Sequence, residues 1–132
     1  MSDWWSKDHH WGPSALRRQV LEARTGGRCY SVSDDGSERE LGRVIRCEPP
    51  SRLVLACHGL TAHGERPPDP ALETDIEITF TDGGGVTVVR LEHRALERFG
   101  ARAWEVRGHL DAVIGWRATP DDFARAFRPA AR

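Results

Sequence analysis

Gly26-Gly27-Arg28-Cys29-Tyr30 and, beyond a turn, Leu41-Gly42-Arg43-Val44-Ile45-Arg46-Cys47-Glu48-Pro49-Pro50-Ser51-Arg52-Leu53-Val54-Leu55-Ala56-Cys57 decide the fold. The stretch reads as three consecutive short strands over 28–33, 38–47 and 52–58, each of strand length and bounded by turn residues. The turns are Gly26-Gly27, Asp34-Asp35-Gly36 and Pro49-Pro50. Glycine supplies positive φ there, and proline fixes φ and removes a backbone donor. Upstream, residues 16–24 are compatible with helix or strand, and the Gly-Gly that follows favours a strand entering a hairpin.

Downstream, residues 59–72 hold Gly59, Gly64, Pro67, Pro68 and Pro70 and read as a long loop of the kind that is often functional. Thr74, Ile76, Ile78 and Phe80 then alternate with Glu73, Asp75, Glu77 and Thr79, the pattern of a strand with one wet face. Asp82-Gly83-Gly84-Gly85 turns the chain, and Thr87, Val89, Leu91 and His93 share a face on the return. From Arg98 the period becomes helical: Ala103, Val106, Leu110, Val113 and Ile114 form one stripe, weakened by Gly108 and Gly115. Thr119-Pro120-Asp121-Asp122 restarts a helix, with a hydroxyl cap, proline at the first position and acids at the positive end. The expectation is a kinked or broken C-terminal helix over about 100–116 and 120–128, within a helical segment 98–128 that follows strands spread over 14–93.

The 132 residues suit a single domain, 1–132, with a real core. A net charge of −1 offers no field for nucleic acid or an anionic membrane. Arginine outnumbers lysine 18 to one, but the arginines are spread evenly among 20 acids, which reads as compositional bias rather than phosphate recognition. The three cysteines, Cys29, Cys47 and Cys57, form no Cys-x-x-Cys pair. The N-terminus lacks a basic region and an apolar core, and no run approaches the ~20 apolar residues of a membrane span. The chain therefore reads as cytoplasmic, with reduced thiols.

Trp4-Trp5, Gly12-Pro13, Gly26-Gly27-Arg28, Gly42-Arg43-Val44, Glu48-Pro49-Pro50-Ser51-Arg52-Leu53-Val54, Leu91-Glu92-His93-Arg94 and Gly115-Trp116 occur in an order that resembles the SRPBCC (START-like) superfamily. More narrowly, the chain is similar to bacterial proteins related to the C-terminal domain of the heat shock protein 90 ATPase activator, from Trp4 to about Phe127. The resemblance implies an α+β helix-grip fold: a curved antiparallel sheet of about six strands packed on a C-terminal helix. The family places a first strand and a pair of short helices before the Trp-Trp, so here either the start is assigned too far downstream or that first element is absent. The sheet would then expose an edge, from which a homodimer is expected.

If the family's strand orientation carries over, His93 lies on the concave face with Val89 and Leu91, a polar group in an otherwise apolar pocket. Ile76 and Ile78 complete the inward set. Trp104 and Trp116 sit on the helix that crosses this face in the family, and Arg43 and Tyr30 are the remaining polar candidates. The leading expectation is non-catalytic binding of a small hydrophobic or amphipathic molecule, with no cofactor. One alternative is a protein-interaction module, since eukaryotic relatives stimulate a chaperone ATPase by docking on it. The other is an enzyme of the cyclase or hydrolase kind. Metal binding is not expected, because His9, His10, His58 and His63 lack ligand spacing. Cys57 lies in an apolar strand and reads as a small core residue before a nucleophile.

Overall fold

A computed structural model describes residues 14–57, 72–111 and 124. Six strands form one antiparallel sheet in sequence order: β1 Leu16–Leu21, β2 Arg28–Ser33, β3 Glu38–Glu48, β4 Arg52–Cys57, β5 Thr74–Asp82 and β6 Thr87–Arg94. The sheet curls into a half-barrel, and with the C-terminal helix it makes an α+β helix-grip fold.

The curl has a local origin. β3 carries two bulges, where the register skips Leu41 against β2 and Ile45 against β4, and β1 carries a third at Arg17. Each extra residue bends its strand and increases the local twist. Gly42 sits between the two bulges of β3. A Cβ there would lie 2.1 Å from the carbonyl oxygen of Ala56, so β3 and β4 approach at a distance only glycine permits. The turn Gly26-Gly27 locks onto the same strand: Gly26 N–H donates to the Val44 carbonyl and Val44 N–H to the Gly27 carbonyl, both at 2.8 Å.

Register assigns the two faces. Opposed residues share a face, so the pairs Val44↔Leu55, Leu55↔Ile76 and Ile78↔Leu91 collect one apolar inner face. Its centre is Val44, Leu55 and Ile76, all buried, with Leu21, Cys47, Leu53, Cys57, Ile78 and Leu91 packed around them. The outer face is ionic. Glu77 accepts from Arg52 at 2.8 Å and Arg94 at 3.3 Å, Arg94 continues to Glu92, and Arg28 bridges Glu38 and Glu40. Many of the chain's arginines thus serve a solvated lattice of ion pairs.

After β6 the chain enters a 3₁₀ stretch, Leu96–Arg102, tied back to the sheet by the Arg98 guanidinium donating to the Glu73 carbonyl. Gly100 leaves helical geometry at φ 56°, and helix α1 runs only over Ala103–Asp111. The expected start near residue 100 is therefore corrected to Ala103, because Gly100 breaks the turn that would have extended it. Val106, from the expected stripe, is the buried residue of this helix. The anticipated break at 116–120 and second helix lie outside the described residues, apart from Ala124, which is helical.

Candidate functional site: the inner face of the sheet

The inner face changes character along the strands. Toward Leu53 and Ile78 it is aliphatic. Toward the opposite end, the aligned row Leu21, Cys29, Gly42, Cys57 and Thr74 is increasingly polar. Gln19 and Ser31 extend that row, and both are buried. Gln19 Nε2 lies 3.7 Å from Cys29 Sγ.

His93 and Thr74 form the best-defined polar pair of this end. Ile76 pairs with His93 in the ladder, which sets the imidazole beside Thr74 one step along β5. Thr74 Oγ1 and His93 Nε2 are 2.8 Å apart, and Thr74 is almost completely buried. Burial pushes the imidazole pKa down from 6.5 to about 4, so His93 is neutral at pH 7. A neutral ring carries one N–H and one lone pair, so it can donate or accept according to what it meets.

The two thiols at this end are protonated as well. Burial raises Cys29 to about 11 and Cys57 to about 12, although part of Cys57 reaches solvent. A thiolate is the reactive species, so neither sulfur is poised as a nucleophile. Charge is kept off the heart of this face: Arg43, Arg46, Glu48, Arg52, Asp75, Glu77, Arg90, Glu92 and Arg94 all pair on the outer side. Arg39, opposite Ser31, and Asp82, in register with Ile76 and Ile78, are the inner-side exceptions, and both are exposed.

The structure gathers five of the expected residues, Ile76, Ile78, Val89, Leu91 and His93, on this face, with Val89 toward its exposed end at 39%. It does not bring Tyr30 and Arg43 there. Tyr30 opposes Glu40 and lies under the Arg28 guanidinium, 4.3 Å from its centre, and Arg43 opposes Ala56 next to inward Val44, so both belong to the outer face. Trp104 is also corrected: it is 79% exposed, because the buried direction of α1 is set by Val106, two residues on. Trp116, the N-terminal tryptophans, His9, His10, His58, His63 and the 59–72 loop lie outside the described residues, save Leu72 at its end. Thr74, Gln19 and Cys29 were not singled out from sequence. The signal for Thr74 was a hydroxyl in register with Ile76 and Ile78. Among the described residues, no group of three His, Cys, Asp or Glu side chains is placed to hold a metal ion, and no helix is long and apolar enough to cross a membrane.

A curled antiparallel sheet whose sheltered face grades from aliphatic to neutral polar is the plan of a helix-grip protein. The family model for activator of Hsp90 ATPase homolog 1-like protein matches residues 3–128, and the chain belongs to that family. Among solved structures, it is similar to an anthrahydroquino-γ-pyrone synthase, Txn09, complexed with SUM. Identity is 31%, the match covers 95% of this chain and 80% of that one, and the TM-score is 0.60. Protein MLL2253 from Mesorhizobium loti is 21% identical over 83% of this chain and 73% of its own, with a TM-score of 0.59. Protein Ms6760 from Mycobacterium smegmatis is 13% identical over 99% and 77%, with a TM-score of 0.61. The last two share the fold. No curated protein matches the sequence.

Proposed function

We propose that the inner face binds a small, uncharged amphipathic molecule. Its apolar body would lie on Leu53, Leu55, Ile76, Ile78 and Leu91, and a hydroxyl or carbonyl would meet His93 and Thr74. The observation that carries this reading is the neutral polar pair at one end of an aliphatic face. Ligand sites use a few placed polar groups on an apolar lining to fix orientation. A carboxylate or an ammonium group would lose its hydration here without gaining a counter-charge, so the site selects against ions.

A second reading, ring closure on a bound polyketone, is favoured by the Txn09 similarity, since that relative is a synthase. A histidine with a pKa near 4 is a weak base at pH 7. It suits hydrogen bonding to a carbonyl better than proton abstraction, and binding remains the primary role. The co-chaperone alternative draws on the family description alone.

Titration with a neutral hydrophobic fluorophore and with hydroxylated polycyclic aromatics tests the proposal. Saturable micromolar binding is expected, weakened about tenfold, or about 1.4 kcal/mol, by His93→Gln. Aromatics carrying a carboxylate in place of the hydroxyl should bind more weakly. Absence of any saturable binding across the panel, with no shift in melting temperature, would overturn it. Loss of water from a bound polyketone, followed by mass spectrometry, would move the synthase reading ahead.

A further inference from the structure

We propose that Arg98 is a positioning residue for the His93–Thr74 pair, an inference that rests on that pair being the polar anchor of the proposed binding face. Thr74 is the first residue of β5. On one side it pairs with Cys57 of β4. On the other, the ladder with β6 begins at Asp75↔Arg94, so Thr74 stands one step beyond its first rung. The contact between Thr74 Oγ1 and His93 Nε2, at 2.8 Å, therefore spans the end of a ladder, where strands fray most easily. A site that orients a ligand through this pair needs that end held in place by supporting groups.

The chain supplies the hold through a strained turn. The next rung would set Ala95 opposite Thr74, but Ala95 leaves extended geometry at φ 63° and ψ 26°. It is the one non-glycine with positive φ among the described residues. A side chain in the left-handed region costs free energy, and such conformations persist where the surrounding structure enforces them. Here the reversal leads into the 3₁₀ stretch Leu96–Arg102, and the Arg98 N–H donates back to the Ala95 carbonyl at 3.2 Å. The guanidinium of the same residue donates to the Glu73 carbonyl, on the residue that precedes Thr74. Arg98 is thus fastened by its backbone to the turn that leaves β6 and by its side chain to the residue that enters β5. It clasps the two strand ends that carry His93 and Thr74, beside the place where the next rung would lie. A charged donor suits that task, since its hydrogen bonds are stronger than those between neutral groups. Arg98 is itself exposed, and its effect on a ligand passes through Thr74.

Nuclear magnetic resonance of the full-length chain tests this through the ring nitrogens of His93, assigned by their loss in His93→Gln. A neutral imidazole held by a hydrogen bond keeps one tautomer and gives two well-separated ring-nitrogen shifts, whereas an unheld ring averages them. Wild type is expected to show the separated pair at pH 7. Arg98→Met keeps the length of an exposed side chain and removes its donors, and it should draw the two shifts together. The same variant should weaken binding of naphthol, a neutral hydroxylated aromatic, by about tenfold. Arg98→Lys returns a cationic donor to the carbonyl and should recover both the shifts and the affinity. Ala95→Val introduces a β-branched side chain that the left-handed region disfavours, so it should open the turn and reproduce Arg98→Met with the guanidinium intact. Arg28→Ala breaks two ion pairs on the outer face and controls for a general loss of stability, with shifts and affinity unchanged. Separated shifts retained in Arg98→Met, or averaged equally in Arg28→Ala, would overturn the proposal. Failure of wild type to bind naphthol would count against the binding reading alone, because the ring shifts decide the clasp without a ligand.

Discussion

Replacing His93 by Gln should remove a defined part of the acid sensitivity of this protein. The folded imidazole has its pKa pushed by burial from 6.5 to about 4. In the unfolded chain it returns to the ordinary value, so between these limits the unfolded state binds more protons. Stability contributed by the neutral ring is fully present above pH 6.5 and is lost as pH falls toward 4. The gap corresponds to about 3 kcal/mol in full, and about 2 kcal/mol of it is spent between pH 7 and pH 5. Glu77 and Glu92, held low by Arg52 and Arg94, also lose their contributions on acidification, but only as pH falls through the carboxylate range. The window from 6.5 to 5 therefore isolates the imidazole. Urea titrations of wild type and His93→Gln at half-unit intervals provide the assay. Glutamine keeps a group for the Thr74 hydroxyl and does not titrate, so its stability curve should be flatter than wild type across that window. Parallel curves would refute the claim that His93 is held neutral by burial.

Gly42→Ala should cost about 3 kcal/mol or more in thermal or urea unfolding, because the new methyl meets the Ala56 carbonyl and β3 must move off β4; a melting temperature within a degree of wild type would show that the close approach is not made. Ile76→Ala, in the buried centre of the inner face, should destabilise by about 2–5 kcal/mol in the same assay. Cys29 should react with a thiol reagent at pH 8 at least about a hundredfold more slowly than a free cysteine, since a pKa near 11 leaves only about a thousandth of it as thiolate; mass-mapped labelling at the free-cysteine rate would contradict its burial. Trp104→Ala should change stability by less than about 0.5 kcal/mol, as expected of a side chain that is mostly in solvent.

What the sequence disclosed and what it hid follow from register. Alternation within a strand and glycine-rich or proline-rich turns are local signals, so the six strands are legible, the first of them as helix or strand with strand favoured, with ends displaced by up to three residues. The face shared by Ile76, Ile78, Val89, Leu91 and His93 was legible too, because β5 and β6 pair without a bulge and a single parity count carries across the turn. Tyr30 and Arg43 were misplaced for the opposite reason. The ladders around β3 skip Leu41 and Ile45, and each skipped residue reverses the count that relates one strand to the next. Nothing in Leu41 or Ile45 announces a bulge, and Gly42 is the only nearby hint. Trp104 is expected at the concave face only because the family's helix crosses it; the apolar stripe itself holds Val106, two positions on, where a helix has turned by more than half a revolution.

The same bulges that obscured the faces make the inner one usable. A flat six-stranded sheet would present its aliphatic side chains as an open plane, and a small molecule lying on it would stay largely in water. Bending at Leu41 and Ile45 turns Val44 and Leu55 toward Ile76 and Leu91, while the ionic lattice of Glu77, Arg52 and Arg94 is left on the outside, where its charges remain hydrated. Segregating charge in this way removes competition from water-seeking groups around His93 and Thr74. A hydrogen bond offered there is made in a poorly hydrated setting, where leaving it unmade is costly. The site should therefore discriminate more sharply by the presence of one neutral polar group than by the size of the apolar body. A hydroxyl added to an otherwise inert ring system should raise affinity more than a methyl group at the same position.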